Sequence, residues 1–310
     1  MTGNAAIGIV GAPSSAGAYA PGQEQAPQAL RRTGLLTYLA DHGVAVHDRG
    51  DTPSWRWAPD RASPRAQNVE AVTQTIDAVA RAVEAGLRDG ERVLVLGGDC
   101  TVGIGTMRAL AALDPDCGLV YLDLHADMNT PASVVDGAID WMGVAHMLQL
   151  EGTLPAIAAQ ALLRPCQVSL LGFDASQATP WEKEQVARLA IALTPVDAIA
   201  ADPRRAADDA LAGLAKGCKR IAVHFDVDIV DFVDAPLSEN AGRNVGVPLA
   251  KALIALESLL ADGRVAALTV AEVNPLHGAA DGSTVRAFAD GLGAAVVGWQ
   301  AAGMLRKDAA

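Results

Sequence analysis

Residues 118–127 read Gly-Leu-Val-Tyr-Leu-Asp-Leu-His-Ala-Asp, an apolar run that ends in three polar side chains. The apolar part shows no alternation with polar residues, which is typical of a parallel β-strand covered on both faces. In an extended chain Asp123, His125 and Asp127 share one side, because side-chain direction repeats every second residue. This stretch therefore predicts a buried strand whose carboxyl end presents a group of candidate ligands.

Similar runs along the chain predict the fold class. The predicted strands are Ala6–Val10, Arg92–Leu96, Gly118–Leu124, Gln167–Gly172, Arg220–Asp226 and Ala266–Val273. Stretches with helical spacing of apolar residues separate them: Ala26–Ala40, Gln67–Arg88, Val102–Leu113, Trp141–Leu150, Trp181–Leu189, Arg204–Lys216, Leu249–Leu260 and Val285–Leu305. Arg49–Gln67 and Phe232–Val247 are predicted loops. The alternation predicts an α/β protein with a doubly wound parallel sheet, formed by residues 1–310 as a single domain.

Composition excludes several classes of protein. With 24 Lys+Arg against 36 Asp+Glu, the formal net charge is −12, which argues against binding to nucleic acid or to an anionic membrane. The four cysteines form no C-x-x-C pair, so neither a zinc ribbon nor a dithiol motif is predicted, and a reducing cytoplasm is expected. Met1–Val10 has no signal-peptide pattern, and the uncharged stretch Gly291–Leu305 is too short to cross a membrane.

Polar clusters follow four of the predicted strands, where open α/β sheets bind their ligands. They are Gly97-Gly98-Asp99-Cys100, Asp123-x-His125-x-Asp127, Asp226-x-Asp228 and Glu272-Val273-Asn274-Pro275. The carboxylates among them would repel one another in an apolar crevice unless cations neutralised them. The pattern predicts a pair of divalent metals, and the mixed Asp/His set suits Mn²⁺, Fe²⁺, Co²⁺ or Zn²⁺ better than Ca²⁺ or Mg²⁺.

Simpler readings exist for individual residues in these clusters and elsewhere. A single aspartate at a strand end commonly caps a helix, and a single buried cysteine such as Cys100 is commonly an inert apolar side chain. His146, His224 and His277 are each compatible with packing or local hydrogen bonding. The joint pattern of Asp123-x-His125-x-Asp127 with Asp226-x-Asp228 is what favours a metal centre.

The ordered motifs resemble the arginase–agmatinase, or ureohydrolase, superfamily over almost the whole chain. The opening Gly11-Ala12-Pro13, followed by Gly22–Pro27 and Leu30-Arg31, is similar to the start of that family, and the four strand-end motifs follow in the family's order. The resemblance implies a three-layer α/β/α sandwich around the parallel sheet. It also implies hydrolysis of a guanidino or amidino group by a metal-bridging hydroxide at a dinuclear manganese site.

The resemblance assigns a role to each motif residue. Asp123 and Asp226 would bridge the two metals, Asp127 would join the first site, and His125 and Asp228 the second. Asp127 would also pass a proton to the leaving amine, and Glu272 would face the guanidinium.

Three positions depart from the family pattern. Cys100 stands where the family has a histidine, so that either a thiolate binds the first metal, which favours Zn²⁺ or Fe²⁺ over Mn²⁺, or the first site is weakened. No histidine stands between Asp136 and Gly143 for proton shuttling, and Asp140 is the candidate replacement. The loop that would read the substrate's α-amino and α-carboxylate groups is only partly kept. Asn129 matches a residue that contacts the α-carboxylate, but residues 132–136 replace the family's Thr/Ser-rich run, and Asp136 is the candidate contact for an ammonium group.

The first two departures are similar to the Nω-hydroxy-L-arginine amidinohydrolase branch. The predicted substrate is therefore L-arginine or Nω-hydroxy-L-arginine, with release of urea or hydroxyurea. The alternatives are an agmatinase, guanidinobutyrase or formimidoylglutamase activity, or a catalytically impaired homologue that binds metal or ligand. The expected partners are a small guanidino substrate and further copies of the chain, a trimer or hexamer by resemblance, in the cytoplasm.

Overall fold

The computed structural model describes residues 5–239 and 245–305, and residues 240–244 of the predicted loop Phe232–Val247 lie outside that range. The described strands form one eight-stranded sheet in the order β2-β1-β3-β8-β7-β4-β5-β6, and every neighbouring pair is parallel. The strands are β1 (Ile7–Gly11), β2 (Val46–Asp51), β3 (Arg92–Leu96), β4 (Gly118–Leu122), β5 (Val168–Phe173), β6 (Ala192–Pro195), β7 (Ile221–Asp226) and β8 (Val265–Ala271). The predicted parallel α/β sheet is confirmed.

Helices cover both faces of the sheet and complete the predicted three layers. They are α1 (Ala26–Arg32), α2 (Leu35–Asp41), α3 (Val69–Arg88), α4 (Val102–Leu113), α5 (Gly143–Leu148), α6 (Pro180–Leu189), α7 (Val196–Ala201), α8 (Pro203–Gly213), α9 (Leu249–Leu260) and α10 (Ser283–Leu305). Neighbouring residues of one strand enter opposite cores: Leu94 and Leu96 belong to the core that includes residues of α1, α2 and α7 to α10, and Val93 and Val95 to the core that includes residues of α3 to α6. No helix within the described ranges is both long and apolar enough to span a bilayer.

The two edge strands were not predicted, and β2 occupies the first residues of the predicted loop Arg49–Gln67. An edge strand pairs with a neighbouring strand on one side only and is more exposed to solvent, so its sequence need not be a continuous apolar run. Strand β2 reads Val-His-Asp-Arg-Gly-Asp and is largely exposed, and β6 is only four residues long. The apolar signal that identified the six inner strands is therefore absent from both.

Two predicted helices differ from the structure, and one helix was not predicted. The predicted helix Ala26–Ala40 is divided into α1 and α2 at Gly34, whose φ of 90° is left-handed and interrupts the helix. The predicted helix Trp141–Leu150 begins with a single 3₁₀ turn at Asp140–Met142 before α5. The six-residue α7 was missed because so short a helix shows little periodicity.

Ion pairs cover the outer edge of the sheet along β2. Arg31, on α1, reaches Asp48 at 2.8 Å and Asp51 at 2.6 Å. Arg49 lies 2.7 Å from Glu91, and the imidazole of His47 lies 2.8 Å from the same carboxylate. The same charged residues that make the sequence of β2 atypical of a buried strand thus connect it by ion pairs to Arg31 and Glu91.

The segment after β1 packs backbone to backbone against the Gly97-Gly98-Asp99 turn. The amide of Asp99 donates to the carbonyl of Ser14 at 2.9 Å. A Cβ atom at Gly98 would lie 1.7 Å from that same carbonyl oxygen, so only glycine fits there. This close approach fixes the turn from which Cys100 enters the centre of the molecule.

We expect Gly98→Ala to lower the free energy of unfolding by more than about 2 kcal/mol, because the backbone of residue 14 has to move. Gly217→Ala is the matched control, since a Cβ at Gly217 meets nothing within 4 Å. Chemical denaturation of the two variants measures the difference. Equal unfolding midpoints would show that the turn tolerates a side chain.

Candidate metal centre

The carboxyl ends of β3, β8, β7 and β4 lie side by side in the sheet, and the segments that follow them enclose a cavity of about 200 Å³. The residues that line it are predominantly polar and acidic: Tyr19, Cys100, His125, Asp127, Asp136, Ala138, Asp140, Trp141, Gln177, Asp226, Asp228, Glu239 and Glu272. Most of the predicted site residues are among them.

One ligand group contains Asp123, His125 and Asp228. The His125 Nδ1 atom lies 2.8 Å from Asp228 Oδ2 and 3.5 Å from Asp123 Oδ1. The backbone amide of Leu124 donates to Asp228 Oδ1 at 3.3 Å, which ties the β7 carboxylate to the end of β4. Each of the three side chains offers a ligand atom within 4.8 Å of the others.

A second ligand group surrounds Cys100. Its Sγ donates to Asp226 Oδ2 at 2.9 Å and lies 3.2 Å from His224 Nε2. Its backbone amide donates to Glu272 Oε1 at 2.7 Å. Asp123 also belongs to this group, because a carboxylate oxygen of Asp123 lies within 4.8 Å of the ligand atoms of Cys100 and His224. Asp123 thus stands between the two groups.

Asp127 approaches the same cavity from a turn just after β4. Its φ of 49° is in the left-handed region, which is a strained conformation for aspartate. The Tyr121 hydroxyl donates to Asp127 Oδ2, and the amide of Ala145 donates to the Asp127 carbonyl at 3.1 Å. These contacts hold the carboxylate toward the cavity.

Burial and mutual repulsion raise the pKa values of the acidic groups. Burial, and then the charge of Asp228, raise the pKa of Asp123 to about 7. Burial also raises the pKa of Asp127 and of Asp226 well above the usual range, with Asp123 and Asp228 as the leading negative neighbours respectively. Burial disfavours a charged His125, but Asp228 and Asp123 outweigh it, so the pKa of that imidazole is raised.

These residues fit a pair of divalent ions. The buried Asp123 Oδ2 atom has no hydrogen-bond partner among the described residues, although it belongs to the carboxylate shared by the two groups. Carboxylate, imidazole and thiol donors together match the preferences of Mn²⁺, Fe²⁺ or Zn²⁺. Cations at this position would offset the repulsion that otherwise forces protons onto the carboxylates.

A third group of acidic side chains lies beside the ligand groups. Oxygens of Asp140, Glu239 and Glu272 lie within 4.8 Å of one another. The Gln23 side chain donates to Glu272 Oε2 at 2.9 Å, whereas neither carboxylate oxygen of the buried Glu239 has a well-formed hydrogen bond among the described residues. Burial, and then the charge of Asp99, raise the pKa of Glu239 to about 8. This group can receive a cation with several N–H donors.

Only one of the two residues predicted to contact the substrate's α-carboxylate and ammonium groups lines the cavity. Asp136 lines the cavity, but Asn129 is fully buried outside its wall. The Asn129 Oδ1 atom accepts from the hydroxyls of Thr179 at 2.8 Å and Ser133 at 3.0 Å. In this conformation Asn129 joins α6 to the segment after Asp127 and does not reach the cavity, and its substrate contact stays a prediction.

Several residues of the site were missed by sequence reasoning. Three of them line the cavity from loops that carry no motif: Tyr19, Gln177 and Glu239. Two others contact cavity-lining residues from outside the cavity: Gln23 contacts Glu272, and His224 contacts Cys100. The signal for Gln23 was its place in the Gly22–Pro27 motif, and His224 stands two residues before Asp226 on the same face of β7. Tyr19, Gln177 and Glu239 had no such signal.

Comparison with known proteins shows which family and which solved folds the chain is similar to. The profile described as Arginase family matches residues 5–297. Arginase-1 of Homo sapiens is 29% identical over 280 residues, which are 88% of this chain and 86% of the relative. The solved arginase of Bacillus caldovelox has a TM-score of 0.82 at 24% identity, covering 94% of this chain and 98% of that one. The formimidoylglutamase structure from Bacillus subtilis has a TM-score of 0.74 at 19% identity, covering 97% and 89%.

We expect Mn²⁺ or Zn²⁺ to stabilise chelator-treated protein, because a cation that binds only the folded state adds about 2.7 kcal/mol at a hundredfold excess over its Kd. Thermal unfolding with and without the ion measures the shift. Asp226→Asn should lose most of it, and Asp208→Asn, on the exposed face of α8, should retain it. An unchanged shift in Asp226→Asn would place the ion elsewhere.

Proposed function

This chain belongs to the arginase family, and on that premise we propose that it hydrolyses the guanidino group of L-arginine or Nω-hydroxy-L-arginine. Members of this family are hydrolases that act on guanidino or amidino groups. The observation that carries the proposal is the position of Asp123, shared by two ligand groups beside a cavity that Glu272 lines. We propose Mn²⁺ as the usual occupant, with Zn²⁺ or Fe²⁺ favoured next to Cys100.

The proposed ligands are Cys100, Asp123, His125, Asp127, Asp226 and Asp228. Ions held by them would act as Lewis acids and lower the pKa of a bound water. The protein's own contribution is to orient these groups before substrate arrives. Tyr121 holds Asp127, and the amide of Leu124 holds Asp228, so little rearrangement is needed at the moment of reaction.

Glu272 is the proposed contact for the guanidinium. One carboxylate oxygen accepts from the amide of Cys100 and the other from Gln23, so the plane of the carboxylate is fixed at both ends. Each oxygen retains acceptor capacity for an N–H of the substrate, since a carboxylate oxygen accepts more than one hydrogen bond. This arrangement orients a planar guanidino group above the ligand groups.

Asp127 and Asp140 are the proposed proton carriers. Asp127 lies next to the metal ligands and would pass a proton to the leaving amine. Asp140 lies on the cavity wall, where burial and then the charge of Glu239 raise its pKa well above the usual range. A carboxyl group with a raised pKa exchanges protons closer to neutral pH, which suits the role that the family gives to a histidine.

One observation favours a second candidate substrate. Among the described residues, the cavity lining includes no lysine or arginine that would pair with a carboxylate of the substrate, and Asn129 lies outside it. Agmatine has the guanidino group but no carboxylate. An agmatinase-type reaction is therefore the alternative that this geometry supports.

A panel of guanidino compounds separates these activities. Protein loaded separately with Mn²⁺, Zn²⁺ or Fe²⁺ is incubated with L-arginine, Nω-hydroxy-L-arginine, agmatine, guanidinobutyrate and formiminoglutamate, and urea, hydroxyurea and formamide are measured. We expect the highest kcat/KM with one of the first two substrates. Preference for agmatine would support the alternative, and silence with every metal would indicate an impaired homologue that only binds.

Two acidic residues of the cavity wall should affect different kinetic constants: Asp140 acts in proton transfer and Glu239 in substrate binding. We expect Asp140→Asn to lower kcat about a hundredfold with little change in KM, because it removes a proton carrier. Glu239→Gln should raise KM about tenfold with a smaller effect on kcat, because a cationic substrate would lower the raised pKa of Glu239 and pair with the resulting carboxylate, which glutamine does not provide. Glu184→Gln, exposed on α6, is the control. Unchanged kinetics in both wall variants would contradict these roles.

A further inference from the structure

His224 has no place in the proposed reaction, yet it is buried directly behind one of the proposed metal ligands. It is 1% exposed and lies on β7 two residues before Asp226, on the same face of the strand. Its Nε2 atom is 3.2 Å from Cys100 Sγ. Cys100 lines the cavity and His224 does not, so the sulfur stands between the imidazole and the cavity.

The position of the His224 ring is fixed on two sides. The ring stacks on Tyr121 with centroids 4.3 Å apart and an interplanar angle of 7°. Gly103 of α4 lies against the ring at its Nδ1 atom, where a Cβ atom would come within 2.4 Å. A glycine at this position of α4 leaves the space that the imidazole needs. The fit is therefore specific to a ring held in this orientation.

The hydrogen bonds around the ring indicate where its hydrogen lies. The Nδ1 atom faces Gly103 and has no partner among the described residues, so a hydrogen there would be a buried donor without an acceptor. The Cys100 Sγ atom donates to Asp226 and can accept from the ring. The resulting chain runs from His224 Nε2–H to Cys100 Sγ, and from there to Asp226 Oδ2.

We propose that His224 is a positioning residue for the first metal site, where its Nε2–H group donates to Cys100 Sγ and aims the sulfur at the cavity. The inference rests on the proposed two-metal centre. To hold a divalent ion, Cys100 would release its thiol proton to solvent, and the hydrogen bond from His224 to the sulfur would be retained. Outer hydrogen bonds of this kind commonly change metal affinity by about 10–100-fold.

Tyr121 couples this contact to a second proposed ligand. Its ring supports His224, and its hydroxyl donates to Asp127 Oδ2. The stacked pair of His224 and Tyr121 therefore touches Cys100 with one member and Asp127 with the other. Both contacts lie on the side of these ligands away from the solvent, where they fix the ligands before any ion arrives.

The test uses Co²⁺, whose bond to a thiolate gives a near-ultraviolet charge-transfer band that reports Cys100 directly. The full chain is titrated with Co²⁺, and Cys100→Ser assigns the band. His224→Phe keeps a ring on Tyr121 but removes the donor, and we expect it to weaken Co²⁺ binding about 10–100-fold and to shift the band. His224→Gln, which retains an N–H donor, should recover part of the affinity.

Two further variants keep the result decisive. Gly103→Ala retains His224 but pushes its ring away, so it should weaken binding in the same direction even if His224→Phe folds poorly. His146→Phe removes a buried imidazole outside the ligand groups and should leave the band unchanged. An unaltered band and affinity in both His224→Phe and Gly103→Ala would overturn the proposal.

Failure of the proposed function gives a different result. A Co²⁺ band that depends on Cys100 and His224, together with silence across the guanidino panel, would support the positioning role and refute the reaction. A wild-type protein that turns over a guanidino substrate but has no band dependent on Cys100 would refute the role of His224 and leave the reaction standing.

Discussion

Four buried aspartates lie at the carboxyl ends of two neighbouring strands, and each ionised carboxylate raises the cost of ionising the others. In water this repulsion would be small, but between buried carboxylates it is large and has to be compensated within the site. The surrounding structure supplies part of this compensation as hydrogen-bond donors. Backbone amides, the Tyr121 hydroxyl and the Cys100 thiol all donate to these carboxylates, and the order of the strands brings them together.

The inner strands could be predicted because their burial is visible in the residues of each strand itself. Strands such as β4 and β7 are buried on both faces, so their sequences are nearly continuous apolar runs. The edge strands β2 and β6 lack that signal, since their stability comes from pairing and from side chains elsewhere in the chain. Arg31 shows the difficulty: its partners Asp48 and Asp51 lie beyond α2, and no pattern near Arg31 identifies them.

The site was predictable to the extent that its residues follow strands at fixed spacing. Asp123, His125, Asp226 and Asp228 obey that rule, and the structure places them together. Glu239 does not obey it, and His224 shares the spacing with Asp226 but lies within β7, so the roles of both depend on distances across the fold. That His224 fits behind Cys100 depends on a glycine in another element, at position 103, and on the ring of Tyr121. Asn129 followed a motif, yet its side chain is engaged with Thr179.

The charged edge of the sheet has a consequence for how copies of the chain associate. An unpaired strand edge is a template on which another strand can add, and continued addition leads to fibres. Along β2 an incoming strand would have to approach His47, Asp48, Arg49 and Asp51 and give up or desolvate their ion pairs. Growth of the sheet from this side is therefore disfavoured.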